Sequence, residues 1–145
     1  MEIITNKISV QKLEEMAEKM FGRVEVDVDE VIKKIKKENF IHKDLSVRRW
    51  QAFSFIEQMA NVGSEVGRAL NWKDRDGKTS QMAFERGLEL LDLTIADPKN
   101  EKRIIEIARV RETLCDYFLG KNQYHISETN WRDYFYSFGY AAALR

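Results

Sequence analysis

One arginine of this chain falls where an apolar residue belongs. At about 100° per residue, Ile104, Ile107, Ala108, Leu114, Cys115 and Phe118 form one helical stripe, and Arg111 lies at its centre. A guanidinium there must be paired, because an isolated buried charge is prohibitively costly. Glu57 and Glu65, on an earlier helix, are the carboxylates expected to reach it, with Asn61 on the same face. Such a constellation makes either a buried ion pair that fixes helix register, or a small-ligand or enzyme site between the two helices.

Other chemistry is sparse. Di-iron bundles use Glu-x-x-His pairs on facing helices. Here only His42 and His125 occur, neither preceded by Glu at that spacing, and both fall in expected loops. No metal ligation and no cofactor is expected. No phosphate loop or nucleotide fingerprint is found; Gly63-Ser64-Glu65-Val66-Gly67 is glycine-rich but sits inside a helical period. No nucleophile motif is recognised, which leaves only a triad assembled in space. Helical ribonucleases of the HEPN type share an Arg followed four to six residues later by His, and no Arg of this chain has that spacing. The single cysteine, Cys115, has no internal partner and reads as a small buried hydrophobe.

The elements that must position these residues are punctuated by one proline. Asp97 is a favoured N-cap and Pro98 fits a first helical turn, so one helix ends near Ala96 and the next begins at Pro98. From Ser46 onward four helices are expected: about Val47–Trp72, Thr79–Ala96, Pro98–Leu119 (stopped by Gly120) and Glu128–Leu144 (capped by Ser127). Short turns between helices of similar length specify an all-α, up-down-up-down four-helix bundle over 46–145. A short N-terminal helical arm over 1–45 precedes it. In that arm Ser9 caps a helix whose apolar side is Leu13, Met16, Ala17 and Met20, ending at Gly22. Arg23–Asp29 alternates Val24, Val26 and Val28 with charges, as a short strand or an extended arm would, and Val31–Lys37 is a lysine-rich helix.

Two helix faces point to contacts beyond an ordinary core. The first long helix carries Ala52, Phe55, Ile56, Met59, Val62, Val66 and Leu70 on its apolar side, where Gly63 and Gly67 allow a neighbouring backbone to approach closely. Its other side holds Trp50, Ser54, Glu57, Gln58, Asn61, Ser64, Glu65, Arg68 and Trp72. Amides and hydroxyls between two tryptophans describe a covered polar surface, under the N-terminal arm or at an interface. The second helix is conventional, with Glu85, Glu89 and Asp92 outward; on the third, Glu112 and Asp116 face water. The fourth is aromatic nearly all round: Trp131, Tyr134, Phe135 and Phe138 face inward, and Tyr136, Tyr140 and Leu144 the other way. A helix apolar on several sides is buried on several sides. The expected interface is Trp50, Trp72, Tyr136, Tyr140 and Leu144, engaging a second copy or a protein partner.

Charge offers an alternative partner. Lys+Arg and Asp+Glu balance at 24 each over 145 residues, so no global field draws the chain to nucleic acid or acidic membranes. Locally the charges segregate: residues 11–30 carry seven carboxylates against three cations, and residues 31–50 seven cations against two carboxylates. The two blocks either neutralise each other or leave Lys33, Lys34, Lys36, Lys37, Lys43, Arg48 and Arg49 to contact nucleic-acid phosphates. No apolar run approaches the ~20 residues that span a bilayer, the N-terminus lacks a signal-peptide pattern, and a cytoplasmic protein without a membrane partner is expected.

Two stretches carry family resemblances. Met1–Gly22, with Lys-Ile-Ser-Val-Gln-Lys-Leu and Met-Ala-Glu-Lys-Met-Phe-Gly, resembles the start of a small prokaryotic family of unknown function. Residues from about 46 to 145 resemble an uncharacterised prokaryotic helical-bundle family, through Glu57–Val66, Leu88–Asn100 and Trp131–Tyr136. Neither resemblance implies an activity or assigns a residue a role.

Overall fold

The computed structural model describes residues 10–38 and 44–144, and among these it is all-helical. Seven α-helices follow one another: α1 (Val10–Phe21), α2 (Val28–Glu38), α3 (Asp44–Gln51), α4 (Phe55–Trp72), α5 (Gly77–Ala96), α6 (Ile104–Leu119) and α7 (Glu128–Ala143). A 3-10 segment, Pro98–Arg103, joins α5 to α6. No strand occurs among the described residues; 24–27 is irregular and buries Val24 completely. Ser9, His42, Lys43, Arg145 and the side chain of Lys37 lie outside the described residues.

The long first helix expected over Val47–Trp72 is instead two helices. Ser54, extended at φ −67° and ψ 164°, caps α4: its hydroxyl accepts from Glu57 N at 3.1 Å while Ser54 N donates to the Glu57 carboxylate at 3.0 Å. This Ser-x-x-Glu box satisfies two helix-end donors locally and so starts a new helix. Ala52, assigned to the apolar face, is exposed in the break. The other starts follow the same chemistry. Asp76 accepts from Lys78 N and Thr79 N at α5, and Ser127 and Asn130 form a box at α7. Asp97 caps Pro98 as expected, but the first turn it opens is 3-10, and α6 begins only at Ile104.

α4 packs between α5 and α7, and α6 lies on α5. The N-terminal helices join this body: α1 rests on α6 and α7, α2 on α5 and α6, and α3 on α5. Leu13, Ala17, Phe21, Val24 and Ile35 belong to the same core as Met59, Val62, Leu91, Ile107 and Phe138. The aromatic centre is Trp131, fully buried, with ring centroids of Phe21 at 5.5 Å, Phe135 at 6.1 Å and Tyr117 at 6.3 Å. Gly63 is required here, because a Cβ would meet the Phe135 Cβ at 2.7 Å; it lets α7 seat against α4. Asp116 does not simply face water: its carboxylate accepts from Gln123 N at 3.0 Å and Tyr124 N at 3.2 Å, tying down the loop before α7.

Candidate functional site

Arg111 is paired, but with a different carboxylate from the two expected. Its Nε donates to Asp92 Oδ1 of α5 at 2.7 Å, and both side chains are largely buried. The reason is the packing order: α6 lies on α5, whereas Glu57 is taken up in the α4 capping box and Glu65 pairs with Arg68 at 3.3 Å. Asp92, assigned to the outer face, is therefore a core residue at 6% exposure. Asn61 is exposed and donates back to Glu57 O at 2.8 Å, the local bonding of an amide on a helix surface. The structure thus does not bring Arg111, Glu57, Glu65 and Asn61 together as one site.

A buried polar network, not foreseen as a unit, lies at the Asp97-Pro98 junction. Gln58, Thr94, Asp97 and Asn100 are all buried. Gln58 Nε2 donates to Trp50 O at 3.0 Å and to Asp97 Oδ2 at 2.8 Å, and Gln58 Oε1 accepts from Asn100 Nδ2 at 2.8 Å. Asn100 Nδ2 also donates to Thr94 O at 2.9 Å, and Trp50 Nε1 to Thr94 Oγ1 at 3.0 Å. Lys99 closes the network with Nζ on both Gln51 O and the Asp97 carboxylate. Trp50, expected at an interface, is thus a core residue holding α3 to α5. Paired throughout, these groups act as structure: they lock α3, α4, α5 and the 3-10 segment to one another.

A second internal cluster joins α6 to α7 and α1. Tyr134 Oη donates to Glu106 Oε2 at 2.6 Å, and Arg103 reaches Glu106 Oε1 through Nε at 3.0 Å and Nη2 at 2.5 Å. Burial pushes the Glu106 carboxyl above its ordinary range against the opposing pull of Tyr134 and Arg103. Burial, reinforced by the Glu106 charge, raises the Tyr134 phenol well above its usual value. Arg103 also lies 3.7 Å from Glu14 and over the Phe55 ring at 4.5 Å, while Arg109 meets Glu18 at 3.3 Å and Val24 O at 2.9 Å. The acidic block of the N-terminal arm is therefore partly neutralised by α6. Lys33, Lys34 and Lys36 of α2 and Arg48 and Arg49 of α3 are exposed, and none forms an ion pair among the described residues.

The surface that stands apart is the seam of α4 and α7. A cleft of about 430 Å³ runs along it, with Ala60, Ser64, Gly67, Arg132, Asp133, Tyr136 and Gly139 among its lining residues. Gly63 is filled by Phe135, but a Cβ on Gly67 or Gly139 would meet nothing within 4 Å. Tyr136 is 71% exposed and Tyr140 42%, their rings stacked at 6.1 Å. Trp131 forms part of the cleft wall, and its Nε1 is the one buried side-chain polar atom without a hydrogen-bond partner among the described residues. Trp72 is 39% exposed under the Arg75 guanidinium, and Leu144 is half-buried at the end of α7. The polar side of α4 is divided rather than covered: Gln58 is buried, whereas Asn61, Ser64 and Arg68 are exposed.

No family model, curated protein or solved structure matches the chain. No group of three or more His, Cys, Asp or Glu residues suited to a metal ion occurs among the described residues, and no described helix is long and apolar enough to cross a membrane.

Proposed function

We propose that this protein is a non-enzymatic helical-bundle interaction protein of the cytoplasm that works as a homo-oligomer. The observation that carries the proposal is the stacked pair Tyr136 and Tyr140, exposed on α7, whose other face holds the fully buried Trp131, Tyr134 and Phe138. Tyrosine is enriched where interfaces form, because it offers large apolar area with a polar tip and little side-chain entropy to lose. The buried polar clusters support the same view. Arg111–Asp92, the Gln58 network and Glu106–Tyr134–Arg103 have mutual partners that serve packing. Sedimentation velocity over a micromolar concentration series tests the proposal. A concentration-dependent shift to a discrete oligomer is expected, and a strict monomer throughout overturns it.

A second reading rests on the exposed cations of α2 and α3. Lys33, Lys34, Lys36, Arg48 and Arg49, without acidic partners among the described residues, suit contact with phosphates, and Lys37 and Lys43 extend the same basic segment. Binding of this kind weakens steeply with added salt through counterion release. Fluorescence anisotropy with mixed-sequence RNA and DNA at two salt concentrations decides it: no salt-sensitive binding removes this reading.

A further inference from the structure

A second cleft, between the end of α1, the loop before α7 and the first turns of α7, gathers cations that no carboxylate takes up. Its volume is about 310–330 Å³ in round terms, 330 Å³ for this cleft, which lies in the range of small-molecule sites. Lys19 and Arg23 line it together with His125 and Asn130. Lys19, Arg23 and His125 form no ion pair among the described residues, in contrast to Arg103 and Arg109, which meet Glu14 and Glu18 of the same arm. Asn130 gives its Oδ1 to Ser127 N and Oγ, and its Nδ2 has no acceptor among the described residues. Asp133 is the single carboxylate of the lining. The rest is apolar: Ile126 is buried, and Met16 and Met20 pack half-buried against the core. Met16 Sδ accepts from Ser137 Oγ at 3.6 Å, which ties this wall to α7. The polar lining residues are exposed and the apolar ones are not, so the cleft has a cationic rim over an apolar interior.

The loop that presents His125 is held in an uncommon conformation. His125 has φ 54° and Asn122 φ 51°, in the left-handed region that residues other than glycine seldom take. Asn122 holds both backbone groups of Ile126, accepting from its N at 3.1 Å and donating to its O at 3.0 Å, while His125 N donates to Asn122 O at 3.0 Å. A loop pinned in this way has little freedom left to lose on binding a ligand.

From this arrangement we infer that the cleft binds a small organic phosphate, its phosphate among Lys19, Arg23, His125 and Asn130 and its apolar body on Met16, Met20 and Ile126. A phosphate monoester suits these donors better than a carboxylate does. It carries about −1.5 to −2 charges at pH 7 and three acceptor oxygens, and charged N–H donors form their strongest bonds to such oxygens. The inference adds a ligand to the interaction protein proposed above and does not depend on its oligomeric state.

The test is titration of the full chain, labelled with nitrogen-15, with phenyl phosphate at neutral pH and low salt, read by amide NMR shifts. Saturable shifts centred on residues 19–23 and 125–133 are expected, with a dissociation constant of about 1 mM or tighter. Inorganic phosphate lacks the apolar body, benzyl alcohol the charge, and phenylacetate the third oxygen. Each should bind at least about fivefold more weakly. Lys19→Gln with Arg23→Gln should weaken phenyl phosphate binding at least about tenfold. His125→Asn, which keeps a residue tolerant of the left-handed backbone, should weaken it about threefold. Asp133→Asn removes a like charge and should tighten binding about twofold, a gain that a folding defect does not produce. Lys33→Gln with Lys34→Gln, on the exposed face of α2, should leave it unchanged. Four results overturn the inference: no saturable shift below about 10 mM, inorganic phosphate or phenylacetate binding as tightly as phenyl phosphate, Asp133→Asn weakening it, or the α2 variant losing as much affinity as Lys19→Gln with Arg23→Gln.

Discussion

Removing the Gln58 side chain should unlock the junction at Asp97. In Gln58→Leu the volume is nearly kept, but three buried hydrogen bonds disappear: to Trp50 O, to Asp97 Oδ2 and from Asn100 Nδ2. Two neutral bonds contribute about 1 kcal/mol each and a bond to a carboxylate about 1.5–3 kcal/mol. One N–H of the buried Asn100 amide is also left unpaired, while its other bond, to Thr94 O, remains. The expected loss is about 3–5 kcal/mol. Urea unfolding followed by circular dichroism measures it. With a slope of about 1–3 kcal/mol/M, the midpoint should fall by roughly 2 M at an unchanged slope. The sharper measurement is the double-mutant cycle with Asn100→Leu. Replacing both members of a buried polar pair by apolar groups removes the unpaired donor as well as the bond. The double variant should therefore be less destabilised than the two singles together, by about 1–3 kcal/mol. Strict additivity, or a loss below about 1 kcal/mol for Gln58→Leu, refutes the network as a source of stability.

The two α4 glycines should respond oppositely to the same change. Gly63→Ala sets a Cβ against Phe135 and should destabilise by about 1–3 kcal/mol, whereas Gly67→Ala meets open space and should stabilise the dilute chain by up to about 1 kcal/mol; equal effects in urea unfolding would contradict both placements. Asp92→Ala, by leaving a largely buried guanidinium with one fewer carboxylate, should cost about 3 kcal/mol, and Arg111→Met in the same chain should recover part of it. Glu106 sets a pH dependence. Because burial holds its folded-state value above 4.5, the folded chain keeps the proton more tightly than the unfolded one. Its share of stability is greatest below 4.5, declines as pH rises through the folded value, and is constant above it. The difference in unfolding free energy between the parent chain and Glu106→Gln should fall across that window, and a difference that rises with pH contradicts the assignment.

What was legible in the chain was what neighbouring residues decide among themselves. Apolar periodicity located the long helices, Asp97-Pro98 and Ser127 marked starts, and the Tyr136 face was already set apart by its position opposite Phe135 and Phe138. The break before α4 was equally local. Ser54 and Glu57 spell a capping box, but their polarity was assigned to a helix face because the apolar period runs unbroken across them. Partner choice was not local. Arg111 required a carboxylate, and nothing in periodicity ranks Asp92 above Glu57 or Glu65 until α6 is known to lie on α5.

The same distinction bears on where function resides. A buried charged or amide group looks functional in sequence because its energetic demand is visible while its partner is not. Here the demand of Arg111 is met by Asp92, that of Gln58 by Asp97 and Asn100, and that of Glu106 by Tyr134 and Arg103. Apart from the buried Trp131 Nε1, which has no hydrogen-bond partner among the described residues, what packing leaves unexplained is on the outside: stacked tyrosines facing water and open helix glycines beside them. Any oligomer of the kind proposed above must be built from that outer surface, because the buried charged and amide groups already serve one another.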